Sequence, residues 1–256
     1  MNPRRSIWDR LIQPVKPRLV TTFAPPPTQI APGLWSLDRR LRMPGGLLLP
    51  SRTTVIRLRA ESLLVVSPPP VEAGGLDALD ALGAVDEVLV PNSFHYLNAP
   101  GFLTRYPRAR LRTAPGLHER VPSFPRGEEL SAQAPPSWSA VVEHRILGPV
   151  RGLSEVALFH RPSATLIVTD LAFHMLHFAH PLERVAWRLS GVPAGFGPSR
   201  TARLLLLDDR AAAAAFLERV LAWPFERVLV AHGEPLETNA AEVFRRAFAP
   251  HLAPPA

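Results

Sequence analysis

The sequence predicts an α/β (α+β) domain built as a four-layer αββα sandwich. Short apolar, β-branched runs alternate with helix-like stretches, which is the pattern of layered α/β proteins. The chain has two halves, each with a β-rich block followed by helix and strand. Polar residues with metal-binding or catalytic chemistry stand directly after apolar strands, where α/β sheets bind their ligands.

The first half predicts one sheet and its helix. Its strand candidates combine alternating apolar residues with β-branched content, and prolines end them. A stretch rich in Leu, Ala and Asp predicts a helix that Gly83 ends. Residues 114–138 contain five prolines and predict a long irregular connection. In order, the segments are LWSLDRRLRM, TTVIRLRAESLLVVSP, the helix GLDALDALGAV, then DEVLVP and ARLRTAP.

The second half predicts a second sheet with helices after it. Its strand candidates are SAVVEHRIL, EVALFHRP, ATLIVTD and ERVLVA. The segment LERVAWRLSG predicts a helix that Gly191 ends, and Ser199 is a candidate N-cap of the next helix. Asp208 or Asp209 caps the alanine-rich stretch that follows. Asn239, with Glu242 three residues later, resembles a capping box and opens a final helix.

Two domain segments follow from composition. Residues 1–32 predict a proline-rich basic N-terminal arm, and residues 33–256 the αββα domain. The arm carries Arg4, Arg5, Arg10, Lys16 and Arg18 against one acid, which makes it a candidate for binding an anionic surface. No aromatic–basic interleaving accompanies the net charge of +7, so a nucleic-acid partner is not expected.

The residue inventory limits the chemistry further. The chain has no cysteine, which excludes disulfides, thiolate metal sites and a cysteine nucleophile. His, Asp and Glu are then the candidate metal ligands. No apolar stretch approaches the roughly 20 residues that a membrane span needs. The opening residues lack the apolar region of a signal peptide, so we expect a cytoplasmic protein without a transmembrane segment.

Three polar residues follow predicted strands and could share one site. They are His95 after DEVLVP, Asp170 at the end of ATLIVTD, and His232 after ERVLVA. Two imidazoles and a carboxylate form an adequate ligand set for zinc or iron. A second reading needs no metal: His95 then makes local hydrogen bonds and Asp170 caps the loop after its strand.

Three histidines at three-residue spacing form a further candidate cluster. His174, His177 and His180 would lie on roughly one face if their segment were a helix. They could then bind metal or respond to protons. The alternative is an amphipathic segment with solvated histidines. His174 is the strongest ligand candidate of the three because it is nearest to the strand end.

Three segments resemble signature regions of the metallo-β-lactamase-like hydrolases. They are VDEVLVPNSFHYLNAPGF, ATLIVTDLAF and RVLVAHGEP, in the same order and strand context. More closely, the chain resembles the DUF4336 family, a divergent branch of that fold, from about Leu34 to Leu252. The resemblance implies that Asp170 corresponds to the bridging aspartate of the enzymes, and His232, followed by Gly233, to their final histidine.

The same resemblance implies that most of the usual ligands are absent. In the alignment set on Gly101, Ser93 and His95 take the positions of the first two histidines, and Asn98 takes that of the third. An alignment shifted by one residue puts Asn92 at the first histidine. The segment GPVRGLSE has no histidine where the enzymes have one. The usual two-zinc site is therefore not expected.

Two functions from different classes remain open. The first is a hydrolase of a small ester, thioester or phosphoester, with one zinc or iron ion held by His95, Asp170 and His232. Asp170 would be a ligand or a base, and Asn98, His174 or His177 could assist. The second is a non-catalytic binding or scaffold protein that kept the fold and lost the metals.

Overall fold

The computed structural model describes residues 18–19, 26–43, 46–71, 75–150, 153–178 and 180–252. These residues form two sheets that stack face to face, with helices on the outer side of each. The predicted four-layer αββα sandwich is confirmed. No helix in these ranges combines the length and the apolar character that crossing a lipid bilayer requires.

The first sheet contains eight strands in the described part of the chain. They are β1 (Arg18–Leu19), β2 (Thr28–Ala31), β3 (Leu34–Arg42), β4 (Leu48–Arg59), β5 (Ser62–Val66), β6 (Ala84–Val90), β7 (Arg110–Thr113) and β8 (Glu128–Glu129). The strand order is β1-β3-β4-β5-β6-β7-β8, with β2 also paired to β3. Strands β3, β4 and β5 are antiparallel neighbours, whereas β5 to β8 run parallel.

The second sheet contains four strands in the same described ranges. They are β9 (Val142–Val150), β10 (Leu153–His160), β11 (Thr165–Val168) and β12 (Arg227–Val230). Strands β9, β10 and β11 form an antiparallel meander, and β12 pairs with β11 in parallel. The parallel pair brings the carboxyl ends of β11 and β12 to one edge of the sheet.

Helices cover the outer face of each sheet. They are α1 (Leu76–Asp80), α2 (Ala99–Arg105), α3 (Leu117–Arg120), α4 (Pro181–Leu189), α5 (Arg200–Leu205), α6 (Arg210–Leu221) and α7 (Ala240–Leu252). Two predicted caps are confirmed. The hydroxyl of Ser199 accepts from the N–H of Ala202 at the start of α5, and Asp209 accepts from Ala212 at the start of α6.

Three apolar clusters hold the layers together. One lies between the sheets and includes Ile56 and Trp138, and the other two lie between each sheet and its outer helices. Val55 and Ile56 point to opposite faces of β4, and both are fully buried. Both faces of the first sheet are covered, which explains why apolar and polar residues do not alternate strictly along β4.

Local structure departs from the sequence-based prediction at two places. The proline-rich connection at residues 114–138 contains the short α3 and β8. Residues 173–178 form no helix but two isolated bridges, Phe173 to Gly197 and His174 to Gly233. The shared face that a helix would have given the three histidines is therefore not formed. Of the basic residues of the predicted arm, all but Arg18 lie outside the described residues.

Candidate functional site

Three side chains from three separate loops converge at the open edge of the sandwich. His95 follows β6 of the first sheet, while Asp170 and His232 follow β11 and β12 of the second. The Nε2 atom of His95 lies 3.3 Å from Oδ2 of Asp170, and Nε2 of His232 lies 3.2 Å from Oδ1. The two Nε2 atoms are 3.3 Å apart. The structure thus brings together the three residues that the sequence predicted.

The orientation of His232 is fixed from its other side. Its Nδ1 lies 2.7 Å from the carbonyl oxygen of Pro50, on β4 of the opposite sheet. Because a carbonyl only accepts, Nδ1 carries the proton and Nε2 of the neutral ring presents a lone pair. Phe173 stacks on the same ring with centroids 4.7 Å apart. This lone pair therefore faces the carboxylate of Asp170. Two electron pairs that face each other repel, and only a cation or a proton between them removes that repulsion.

The loop that carries His232 is held by a buried arginine. Nη1 of Arg52 donates to the carbonyl oxygens of Val230 (2.7 Å) and Gly233 (2.9 Å). Nε and Nη2 of Arg52 donate to the two carboxylate oxygens of Asp38 at 2.7 and 3.0 Å. Arg52 thus connects β4 of the first sheet to the loop on both sides of His232.

The backbone at Gly233 also depends on close approach. Its φ angle is +109°, and a Cβ placed there would lie 2.1 Å from the carbonyl oxygen of His174. Only glycine fits such a contact without displacing the neighbouring segment. The strand end at His232 and the segment at His174 are consequently locked against each other, with the N–H of His174 donating to the carbonyl of His232.

Asn92 organises the other half of the site. Its amide nitrogen lies 2.7 Å from Oδ2 of Asp170, 2.7 Å from Oε2 of Glu155 and 2.9 Å from the hydroxyl of Thr169. Its amide oxygen accepts from the backbone N–H of His95 at 2.9 Å. One buried side chain thus orients the Asp170 carboxylate and shapes the loop that presents His95.

Glu155 is a buried carboxyl group behind Asp170. Its Oε1 accepts from the backbone N–H and the hydroxyl of Thr169, at 2.8 and 2.5 Å. Burial, with a further contribution from the charge of Asp170, raises the pKa of Glu155 to about 7. Burial acts in the same direction on Asp170, but His95 and His232 outweigh it and hold the pKa of Asp170 below its ordinary value. Asp170 is therefore ionised at neutral pH, as a ligand or a base must be.

The donor set fits a single divalent ion. The ligand atoms of His95, Asp170 and His232 all lie within 4.8 Å of one another. In a tetrahedral zinc site, bonds of about 2.0–2.1 Å place neighbouring ligand atoms about 3.3 Å apart, which matches the 3.3 Å between the two imidazole nitrogens. The hydrogen bonds of His232 to Pro50 and of Asp170 to Asn92 are of the kind that orient metal ligands.

The predicted accessory residues occupy other positions. Asn98 is the N-cap of α2, where its side chain makes no capping hydrogen bond. Nδ1 of His174 lies 3.0 Å from the carbonyl oxygen of Glu234, and Nδ1 of His177 lies 2.7 Å from the Glu234 carboxylate. His180 is the N-cap of α4 and accepts from the N–H of Leu182. The three histidines are thus divided between three local roles.

A cleft of about 500 Å³ lies beside His232. Pro50, Ala231 and Gly233 line it, so it runs along the backbone that positions His232. His95, Asp170 and His232 themselves are not among its lining residues. Its volume is in the range of small-molecule sites, and arginine and acidic side chains both contribute to its wall, so its charge selects no substrate class.

Sequence reasoning missed much of the support around the three ligand candidates. Glu155 and Arg52 were not recognised, and Asn92 entered only through an alternative alignment. Glu155 had a signal: it is a lone acid at the start of the apolar run VALF in β10, where an unpaired charge is rarely tolerated. The contact of His232 with the carbonyl of Pro50 had no such signal. The acceptor is a backbone atom 182 residues away, and any residue type would supply it.

Comparison with solved structures places this arrangement in a known fold. A metallo-β-lactamase from Pontibacter korlensis matches with a TM-score of 0.59 and 12% identity, covering 84% of this chain and 94% of that one. The metallo-β-lactamase FIM-1 from Pseudomonas aeruginosa, in a mono-zinc form, matches with a TM-score of 0.56 and 11% identity, covering 94% and 98%. The metal-soaked Flv1 flavodiiron core from Synechocystis sp. matches with a TM-score of 0.61 and 11% identity, covering 91% and 61%.

Comparison at the level of sequence gives the family. No curated protein matches the chain. Residues 32–183, more than half of the chain, match the model of the family described as domain of unknown function DUF4336. The fold and this match agree with the resemblance seen in the sequence. The chain therefore belongs to the DUF4336 family and has the metallo-β-lactamase-like fold.

Proposed function

We propose that the protein is a hydrolase that uses one metal ion, zinc or iron, to cleave a small ester, thioester or phosphoester. His95, Asp170 and His232 are the proposed ligands. The observation that carries the proposal is the convergence of their donor atoms within 4.8 Å at the edge of the sandwich. Solved structures with the same fold include a mono-zinc form, so one ion is compatible with this architecture.

The residues of the chain have defined tasks in this proposal. His95 and His232 would bind the ion through Nε2, and the Pro50 carbonyl keeps the His232 ring in the required tautomer. Asn92 holds Oδ2 of Asp170 in place. When bound, the ion would supply Lewis-acid activation of water and of a carbonyl or phosphoryl oxygen. Asp170, ionised at neutral pH, is suited to binding the ion or to accepting a proton from water.

A second candidate is a non-catalytic binding or scaffold protein. One observation favours it: the distances of 3.2–3.3 Å between His95, Asp170 and His232 are also hydrogen-bond distances. Protons on Nε2 of both His95 and His232 would let the two rings donate to the Asp170 carboxylate without any ion. In this candidate the three side chains stabilise the loops at the sheet edge, and the cleft binds a ligand without changing it.

Metal content of the purified protein separates the two candidates. Elemental mass spectrometry of the wild type should find about one zinc or iron per chain. The variant His232→Ala should lose the metal, and the matched control His174→Ala should keep it, because His174 binds the carbonyl of Glu234 instead. A screen of small esters, thioesters and phosphoesters with the loaded wild type then tests hydrolysis. If neither zinc nor iron binds after incubation, the hydrolase proposal is wrong.

A further inference from the structure

Helix α4 presents a row of exposed apolar side chains. Leu182, Val185 and Leu189 are 70%, 51% and 73% exposed. At about 100° per residue they lie within roughly 60° of the helix circumference. Among the described residues five large hydrophobic side chains are exposed, and α4 holds three of them. Such a concentration on one short helix marks an interaction surface rather than scattered surface residues.

The charges beside this row are of one sign. Arg184 and Arg188 are exposed on the same helix, on one flank of the apolar row. In the described part of the chain neither has a hydrogen bond or ion pair. The acid of the helix, Glu183, points the other way and accepts from the backbone N–H of Leu48. The exposed side of α4 is therefore apolar and cationic, without a carboxylate.

The inner side of α4 is anchored, so the outer side is a stable surface. Trp187 is buried and packs in a small apolar cluster with Phe173 and Met175. His180 caps the helix by accepting from the N–H of Leu182. The backbone of Val192 closes the C-terminal end by donating to the carbonyl of Trp187.

We propose that the outer face of α4, formed by Leu182, Arg184, Val185, Arg188 and Leu189, docks onto an anionic phospholipid membrane. An amphipathic helix with leucines on one side and basic residues beside them lies in the plane of the bilayer interface. The arginines would contact lipid phosphates while the leucines enter the headgroup–acyl boundary. The net charge of +7 on the chain adds a long-range attraction in the same direction.

Two other occupants fit the observations less well. A protein groove would also take exposed apolar side chains such as Leu182 and Leu189, but the two exposed arginines beside them match the phosphate surface of an anionic membrane. A second copy of the chain, related by a two-fold axis, would bring this surface against itself. That arrangement would place Arg184 and Arg188 of both copies in one interface without a carboxylate from α4, and like charges would oppose it.

Vesicle cosedimentation of the full chain tests the proposal. Wild type should bind vesicles of phosphatidylcholine mixed with phosphatidylglycerol, weakly bind vesicles of phosphatidylcholine alone, and dissociate as salt is raised. The double variant Leu182→Gln, Leu189→Gln should lose about tenfold or more in partitioning. Its matched control, Leu182→Met with Leu189→Met, keeps the apolar surface and should bind as wild type does.

Two charge variants of equal net charge locate the cationic contribution. Arg184→Gln with Arg188→Gln should reduce partitioning about tenfold or more and lessen its dependence on salt. Arg245→Gln with Arg246→Gln, on the exposed side of α7, should leave partitioning within about twofold of wild type, since those residues lie on another helix. Circular dichroism should show all variants folded because every altered side chain is exposed.

Three outcomes would overturn the proposal. The first is no binding of the wild type to the anionic vesicles. The second is equal binding by the α4 variants and the wild type, which would assign binding to another part of the chain. The third is a stable dimer in light scattering that Leu182→Gln with Leu189→Gln dissociates, which would make the face an interface between copies.

Discussion

Arg52 provides the sharpest test of how the site is held. It is 7% exposed, and its guanidinium donates to two backbone carbonyls, of Val230 and Gly233, and to the carboxylate of Asp38. The substitution Arg52→Met keeps most of the apolar stem and removes every donor. It leaves two buried carbonyl oxygens without this partner, on both sides of His232.

The expected cost follows from those groups. A buried acceptor left without a partner costs about 1–3 kcal/mol, so two carbonyls give about 2–6 kcal/mol. Asp38 adds little because its side chain is 49% exposed and water can replace the lost donors. The methionine recovers part of the loss through apolar contacts. We expect Arg52→Met to lower the free energy of unfolding by about 3 kcal/mol.

Arg59→Met is the matched control. The Arg59 side chain is 75% exposed, and its ion pair with Asp86 is 4.0 Å long, so this change should cost less than about 1 kcal/mol. Urea denaturation followed by circular dichroism measures both variants. Metal affinity should also fall in Arg52→Met, because the loop of His232 loses its anchor. Equal stability losses in the two variants would show that the buried contacts of Arg52 do not hold the loop.

Three further predictions concern stability and the site. His160 is buried, and burial lowers its pKa to about 4, so the unfolded chain binds a proton that the folded chain does not between about pH 6.5 and 4. The free energy of unfolding should therefore fall as pH falls through this window, by up to about 3 kcal/mol. Urea titrations should show a smaller decrease for His160→Gln. An identical decrease in both proteins would contradict the assignment of this pH dependence to His160. Gly233→Ala should lower the free energy of unfolding by about 3 kcal/mol or more, because of its positive φ and its contact with the backbone of His174. Gly195→Ala, with no atom within 4 Å of the added Cβ, should change it by no more than about 0.5 kcal/mol. Comparable losses in the two variants would refute the steric argument. Asn92→Ala should weaken zinc binding about 10–100-fold in chelator competition, and unchanged affinity would remove Asn92 from the support of Asp170.

The layers of the fold were predictable from sequence because they depend on local patterns. Apolar runs such as ATLIVTD and ERVLVA stop at polar residues, and prolines and glycines mark the turns between elements. The same patterns placed His95, Asp170 and His232 at strand ends, which was enough to predict that they meet. Caps such as Ser199 and Asp209 were predictable for the same reason, since a cap acts on residues two or three positions away.

The support of the site was not predictable because it depends on distant pairs. The pairing of Arg52 with Val230 and of His232 with Pro50 joins residues about 180 positions apart. Their strands meet only after the two sheets have stacked, and no local periodicity encodes that meeting. The histidines at 174 and 177 illustrate the same limit: their spacing would place them on one face of a helix, but the backbone contact of His174 with Gly233 gives the segment an extended path.

The three ligand candidates come from both sheets, which couples metal binding to the stability of the fold. His95 follows a strand of the first sheet, whereas Asp170 and His232 follow strands of the second. An ion bound by all three would therefore cross-link the two sheets. Its binding free energy would then add directly to the free energy of folding, by about 2.7 kcal/mol when the free ion is at 100 times its dissociation constant. In that case chelators would lower the melting temperature, and the concentration of available metal in the cell would set the fraction of the protein that is folded.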